Sequence, residues 1–387
     1  MKAIVTGMIA TYPLGGVVWD YAQYALGLEK LGFEVYYLED AGMLTYDPRQ
    51  REYVQEPSYG VEFLARSLSQ LSPTLGRRWQ VRTLDGRTFG MDQADFSIVL
   101  RDAQLFLNVS GGSLLRPEYL ECPRKVLIDT DPGLNHFSNY ARQDAGLNTR
   151  EGQTFRGHDF FFTYAERIGQ DDCMLPTLSI EWQPTRPPVV LDCWKSAGAG
   201  TAWTTVMSWK NFSTAIEYKG VRYGSKEIEF EKVKALPRHA RARLEVASGG
   251  EPPIDEWREY GWSVLDAHQV SSDAGVYRDY IQASRGEFSV AKNVYVATRS
   301  GWFSGRSTCY LAAKRPVVVQ DTGFSKIIPC GSGLLTFSNM DEASAAIESV
   351  EADYTRHGDA ARSVAETYFA ADVVLGKLLD DIGLGVP

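Results

Sequence analysis

Along this chain, short β-branched runs alternate with apolar stripes at helical spacing, and small polar loops separate the two. Ala3 to Thr6 reads as a buried strand and is followed by a loop containing Gly15-Gly16. A helix is predicted from about Val17 to Lys30, with Val18, Tyr21, Ala22, Ala25 and Leu28 on its apolar face, and Phe33 to Leu38 makes the next strand. Leu105–Val109, Lys125–Ile128 and Asp159–Thr163 repeat the strand pattern; Val61–Leu71 reads as a helix. Asp85-Gly86 centres a hairpin over Gln80–Phe89, and Tyr46–Gly60 reads as a long polar surface excursion.

The second half restarts the same alternation. Ala202–Ser208, Arg243–Ala247 and Tyr260–Val264 are predicted strands, and Lys226–Leu236 and Val276–Ser284 predicted helices. Val294–Ala297 then reads as a strand, Thr298–Ser307 as a loop, Ser307–Ala313 as a helix and Pro316–Val319 as a strand. Between the halves, Leu175–Val190 carries Pro176, Pro184, Pro187 and Pro188 and reads as a linker. The expected division is 1–185, 186–365 and a closing helical segment 366–387. Strands alternating with helices mean an α/β fold, and 387 residues exceed one ordinary core.

Composition narrows the function. A formal charge of −9 argues against nucleic acid or an anionic membrane as the main partner. No apolar run reaches the ~18–20 residues that span a bilayer. The opening MKAIVTGMIATYPLGG flows straight into a helix pattern and reads as a first buried strand, not a signal sequence. Cys122, Cys173, Cys193, Cys309 and Cys330 are scattered without C-x-x-C spacing, which fits a reducing cytosol and no zinc ribbon. A cytoplasmic protein is therefore expected.

Candidate chemistry gathers after the strands, where parallel sheets bind ligands. The loop Ser300, Gly301, Trp302, Ser304 to Ser307 opens a helix, and Arg299 and Arg306 flank it. Free N–H groups and the positive helix end there suit a phosphate, as does a charge-assisted bond from Arg306. Asp321-Thr322-Gly323 ends the following strand, so both loops are read as one nucleoside-diphosphate site; the alternative for Arg306 is a solvated surface arginine. Asp129-Thr130-Asp131-Pro132-Gly133 follows Lys125–Ile128, with His136 one turn on. Clustered carboxylates there can serve as general bases, which makes Asp131 and His136 candidates; an Asx-turn before Pro132 is the structural alternative. Glu287, in the polar loop Ser284–Phe288, is a candidate to hold a sugar or ribose.

SGWFSGRSTCYLAAKRPVVVQDTGF resembles the C-terminal donor-binding half of GT-B glycosyltransferases. Lys314-Arg315-Pro316 stands where that family has Gly-x-Pro, and Gly301 and Cys309 stand where its large retaining branch has paired glutamates. The resemblance implies two Rossmann-like domains with an interdomain cleft, the first binding acceptor and the second donor. It further implies a last helix, Glu366 to Leu379, crossing back to the first domain. Gly15 and Gly16 would face the cleft, and Lys210 or Lys219, around the loop Trp209-Lys210-Asn211 and the turn Tyr218-Lys219-Gly220, would reach the diphosphate. The implied activity is metal-independent transfer from a nucleotide diphosphate sugar to an alcohol, phenol or saccharide, with no bound cofactor. A nucleotide-sugar epimerase and a catalytically silent nucleotide-binding subunit are the alternatives.

Overall fold

The computed structural model describes residues 1–133, 135–137, 155, 157–196, 198, 200–210 and 216–387. Its strands, in chain order, begin with β1 (Lys2–Thr6), β2 (Glu34–Glu39), β3 (Thr45–Asp47), β4 (Glu52–Val54), β5 (Trp79–Arg82) and β6 (Thr88–Gly90). There follow β7 (Ala103–Val109), β8 (Lys125–Asp129), β9 (Phe160–Thr163) and β10 (Gln183–Pro184). The second half adds β11 (Ala202–Ser208), β12 (Ile216–Tyr218), β13 (Val221–Tyr223), β14 (Arg243–Gly249), β15 (Ser263–Asp266), β16 (Gly286–Ser289), β17 (Val317–Gln320) and β18 (Leu334–Phe337).

Two sheets organise the chain. The first runs β10-β9-β8-β7-β1-β2-β5-β6 and the second β15-β14-β11-β16-β17-β18. All neighbours pair in parallel except β5 and β6, which form the hairpin around Asp85-Gly86. Helices cover both faces of a parallel sheet, so its central strands are apolar on both sides. Ala3, Ile4 and Val5 accordingly have no exposed surface. In each sheet the chain leaves the first strand in one direction and later returns to its other side. The resulting switch points lie between β1 and β7 and between β11 and β16, where crevices open at the carboxyl ends.

The two sheets face one another through shared packing. One apolar cluster joins Val18 and Trp19 on the helix Gly15–Lys30 to Tyr277, Phe303 and Cys309. The helix Ala371–Asp381 contributes Leu375 and Leu378 to the same cluster, and Arg124 beside the first sheet donates to the Ile382 carbonyl at 3.2 Å.

Several local expectations give way to tertiary context. Val294–Ala297 lies in the helix Asn293–Thr298, not in a strand. The strand preceding the loop is β16, whose Gly-Glu-Phe-Ser sequence read as polar loop. Pairing with β11 on one side and β17 on the other holds it extended, and burial between two partners overrides weak strand propensity. Tyr46–Gly60 is not a bare excursion: β3 and β4 form an antiparallel ribbon, and the next helix already begins at Ser58. The proline-rich Leu175–Val190 supplies β10 as an edge strand, the one sheet position that tolerates proline. The helix begun at Lys226 stops at Glu231, short of Leu236, and Tyr260 ends a helix while the strand starts at Ser263.

Candidate functional site

A cavity of about 410 Å³ lies where the two switch points face each other. Leu14, Gly16, Asp20 and Gln23 enter from the β1 side, with Ser110 after β7 and Thr130 and Asp131 after β8. The opposite wall comes from Val206 to Ser208 at the end of β11, Lys226, Lys292, Tyr295, Trp302 and Ser304 to Arg306.

That second wall is built for an anion. The helix Gly305–Ala312 starts at Ser304, whose side chain makes no capping bond, and its first backbone bond is from Thr308 N–H to the Ser304 carbonyl at 3.3 Å. The N–H groups of Gly305, Arg306 and Ser307 therefore have no partner among the described residues, and the positive end of the helix faces the same space. Lys226 is 7% exposed, and its ammonium makes no hydrogen bond among the described residues. Burial, and then the charges of Arg306 and Lys292, hold its pKa well below the ordinary lysine value. An arriving anion would oppose both effects by favouring the charged ammonium.

Arg306 itself is committed elsewhere. Its Nε donates to Glu287 Oε1 at 2.7 Å and its Nη2 to Ser289 Oγ at 2.6 Å, and Nη1 donates to the Val206 carbonyl. Its guanidinium braces β11 against β16 beneath the cavity, so it is neither a surface arginine nor an open phosphate clamp. Glu287 is fully buried on β16 and does not line the cavity. Its Oε2 has no hydrogen-bond partner among the described residues.

The first wall carries two carboxylates, Asp20 and Asp131. Asp20 interrupts an apolar helix, and its accessible surface faces the cavity. Desolvation by the surrounding walls raises its pKa to about 7, against a smaller opposing effect of Arg306. Asp131 also lines the cavity, where it accepts from Lys292 and from the Tyr295 hydroxyl across the cleft. His136 does not reach it. Its ring is fully buried, with Nε2 2.9 Å from Asp129 and Nδ1 3.0 Å from the Pro176 carbonyl, and Trp182 packs 5.0 Å away. It secures the end of β8 from behind the site. Enclosed in this way, it cannot reach a proton on a substrate in the cavity, contrary to the base role expected of it.

The two glycine loops meet, but around a side chain. Gly301 N–H donates to the Thr322 carbonyl at 2.9 Å, and Thr322 Oγ1 to the Trp302 carbonyl at 2.6 Å. Arg167 threads between them: a Cβ on Gly301 would stand 2.7 Å from its Cγ, and one on Gly323 2.9 Å from its Nη1. Asp321 closes its own turn by accepting from Gly323 N–H at 2.8 Å. Ser300 is fully buried and its carbonyl accepts from Arg167 N–H at 3.0 Å. Ser300, Gly301 and Gly323 thus dock the first half of the chain onto the second, and neither they nor Asp321 line the 410 Å³ cavity. Trp302, Ser304 and Arg306 do line it, whereas Ser307 and Thr322 border a space of about 20 Å³ beside it.

Gly15 and Gly16 sit on the cleft. A Cβ at Gly15 would stand 2.1 Å from the Asp273 carbonyl oxygen, so only glycine permits this approach, and Gly16 N–H donates to Ser271 Oγ at 3.0 Å. Lys210 and Lys219 are exposed and line no part of the cavity, and Asn211 lies outside the described residues. The lysines that line the cavity are Lys226 and Lys292. Lys314 explains the missing glycine of Gly-x-Pro: it adopts φ 59°, the left-handed conformation that glycine favours at a helix end.

Two of the missed residues left a trace in the sequence. Asp20 is the one charge in the apolar stretch from Gly15 to Leu28, and Lys226 follows the small pair Gly224-Ser225 at a helix start. Among the described residues, no group of three His, Cys, Asp or Glu is arranged to hold a metal ion, and no helix is long and apolar enough to cross a membrane.

No protein-family model and no curated protein sequence matches the chain. Solved structures do. AviGT4, a glycosyltransferase involved in avilamycin A biosynthesis, is 14% identical, with 98% of this chain and 96% of that one covered and a TM-score of 0.51. Anabaena HepE in complex with UDP and glucose is 10% identical, with coverage of 99% and 100% and a TM-score of 0.55. An α-glucosyltransferase in complex with UDP-glucose and abasic-site DNA is 12% identical, with coverage of 99% of each chain and a TM-score of 0.53. The fold is GT-B: two Rossmann-like α/β units with a cleft between them, matched over nearly the whole chain by glycosyltransferases.

Proposed function

We propose that the protein transfers a glycosyl group from a nucleoside diphosphate sugar to an acceptor hydroxyl within this cavity. The observation that carries the reading is the asymmetry of the walls. One side offers a buried lysine without a hydrogen bond and three free helix N–H groups; the other offers a carboxylate with pKa near 7. The UDP complexes of similar folds support the donor class.

In this reading residues 186–365 hold the donor, residues 1–185 select the acceptor, and 366–387 ties the two together. The diphosphate lies on Lys226 and the N–H groups of Gly305 to Ser307, where fixed dipoles and charge offset the leaving group's developing charge. Asp20 accepts the acceptor hydroxyl's proton as its oxygen bonds to the anomeric carbon and the bond from that carbon to the diphosphate oxygen breaks. Asp131, held by Lys292 and Tyr295, orients the acceptor. A base on the acceptor and a single displacement entail inversion at the anomeric carbon. The formal charge of −9 disfavours DNA as acceptor.

The test is release of nucleoside diphosphate from a panel of sugar nucleotides with and without acceptor, with the product anomer read by NMR. Acceptor-dependent release with inversion is expected. A new sugar nucleotide formed without acceptor would indicate an epimerase, and retention would remove Asp20 as base.

A further inference from the structure

The β3–β4 ribbon holds three aromatic rings out of the core. Tyr46 and Tyr53 are cross-strand partners on one face of the ribbon, and Tyr12 joins them from the loop after β1. Tyr53 packs on Tyr12 edge-to-face, with centroids 6.2 Å apart at 83°, and on Tyr46 at 5.5 Å and 61°. Tyr53 is 54% exposed, and none of the three belongs to a core cluster.

The platform is rigid. Tyr46 N–H donates to the Thr11 carbonyl at 2.8 Å, and the buried Glu39 carboxylate accepts from the N–H groups of Ala10 and Thr11. It is also aimed. Arg51 at the ribbon's tip pairs with Asp266, and Asp266 caps the short helix Ala267–Ser271, whose Ala267 and Ser271 line the cavity. The ribbon's tip is thereby tied to a segment that lines the cavity, and Tyr12 lies two residues before Leu14, which lines it too.

We infer that Tyr12, Tyr46 and Tyr53, with Arg51 and Asp266, form an acceptor subsite for a saccharide chain, a deepening that rests on the transfer reading above. Aromatic faces take the apolar faces of sugar rings at low entropic cost, since each tyrosine has few rotamers to lose. The phenol hydroxyls and the Arg51–Asp266 pair meet ring hydroxyls, a polar complement that a flat phenolic acceptor would leave unused. A site tied to the cavity lining in this way reads the sugar units beyond the one whose hydroxyl reacts, so affinity should grow with chain length.

The full chain is applied to an array of immobilised glycans of one to six sugar units, alongside Tyr53→Ala and Tyr53→Phe. UDP is titrated calorimetrically into the same wild-type sample. Binding that strengthens from one unit to three, falls at least about 10-fold in Tyr53→Ala and is largely kept in Tyr53→Phe supports the subsite. Tyr53 is exposed, so both variants should keep the wild-type unfolding midpoint. Glycan binding indifferent to Tyr53→Ala, or capture of 4-nitrophenol with no glycan bound, overturns it. Length-dependent glycan binding without UDP binding would uphold the subsite and sink the donor reading instead.

Discussion

Arg306 Nε donates to Glu287 Oε1 over 2.7 Å, with Glu287 fully enclosed and only 13% of the Arg306 side chain exposed. Removing one member of such a pair leaves the other charge buried and unpaired, at about 3–5 kcal/mol. Arg306→Ala and Glu287→Ala should each lower the thermal midpoint clearly, and Arg306→Met with Glu287→Leu should cost less than either. Differential scanning fluorimetry of the three variants decides it; singles that melt like wild type would show that the pair is dispensable.

Lys226→Met should weaken UDP binding by about 10- to 150-fold and uridine binding hardly at all, because charge-assisted bonds are worth about 1.5–3 kcal/mol. An arriving diphosphate raises the depressed lysine pKa, so binding takes up a proton at pH values between the free and bound pKa. Calorimetry in buffers of different ionisation enthalpy should show that uptake in the wild type and not in Lys226→Met. Equal losses for nucleotide and nucleoside would move the phosphate away from Lys226.

Asp20 should set the acidic limb of the rate profile. With its pKa raised from 3.8 to about 7, kcat/KM should fall as pH drops through about 7. Asp20→Asn should lower turnover by ~100-fold or more and erase that limb. The stability sign is opposite. The folded state binds the extra proton between 3.8 and about 7, so stability declines as pH rises across that window. Asp20→Asn should flatten the decline, measured as thermal midpoint against pH.

Asp131→Asn and His136→Ala should separate. Asp131 lines the cavity, so its variant should lose turnover while keeping its fold. His136 is enclosed between Asp129, Pro176 and Trp182, so His136→Ala should lower the midpoint while molecules that remain folded keep near-native turnover. Matching stability losses in both variants would contradict that division.

Lys314→Gly should raise stability by about 1 kcal/mol, since a side chain at φ 59° bears a left-handed penalty that glycine escapes. Only an exposed ion pair with Asp359 is lost, and such pairs contribute little. An unchanged or lowered midpoint would assign Lys314 a packing role.

Hydrophobic periodicity alone determined most of the framework. β1, the helix Gly15–Lys30, β7, β8, β11 and β17 are legible because each buries a continuous apolar run or stripe whose period a single strand or helix must match. The same pattern placed the polar loops at the carboxyl edge of the sheets, where the cavity lies. Tertiary structure decided the rest. Gly-Glu-Phe-Ser becomes β16, and Asn293–Thr298 becomes a helix, through partners distant in sequence. The function of a glycine or an arginine likewise depends on what comes to fill the space beside it. Gly301 and Gly323 make room for Arg167, and Arg306 turns inward to Glu287. The ionisable groups left without a hydrogen bond among the described residues, Lys226 and Asp20, come together only when two sheets from opposite halves of the chain meet across one cavity. Sequence specifies which residues carry charge; three-dimensional packing decides which of those charges are left without a partner.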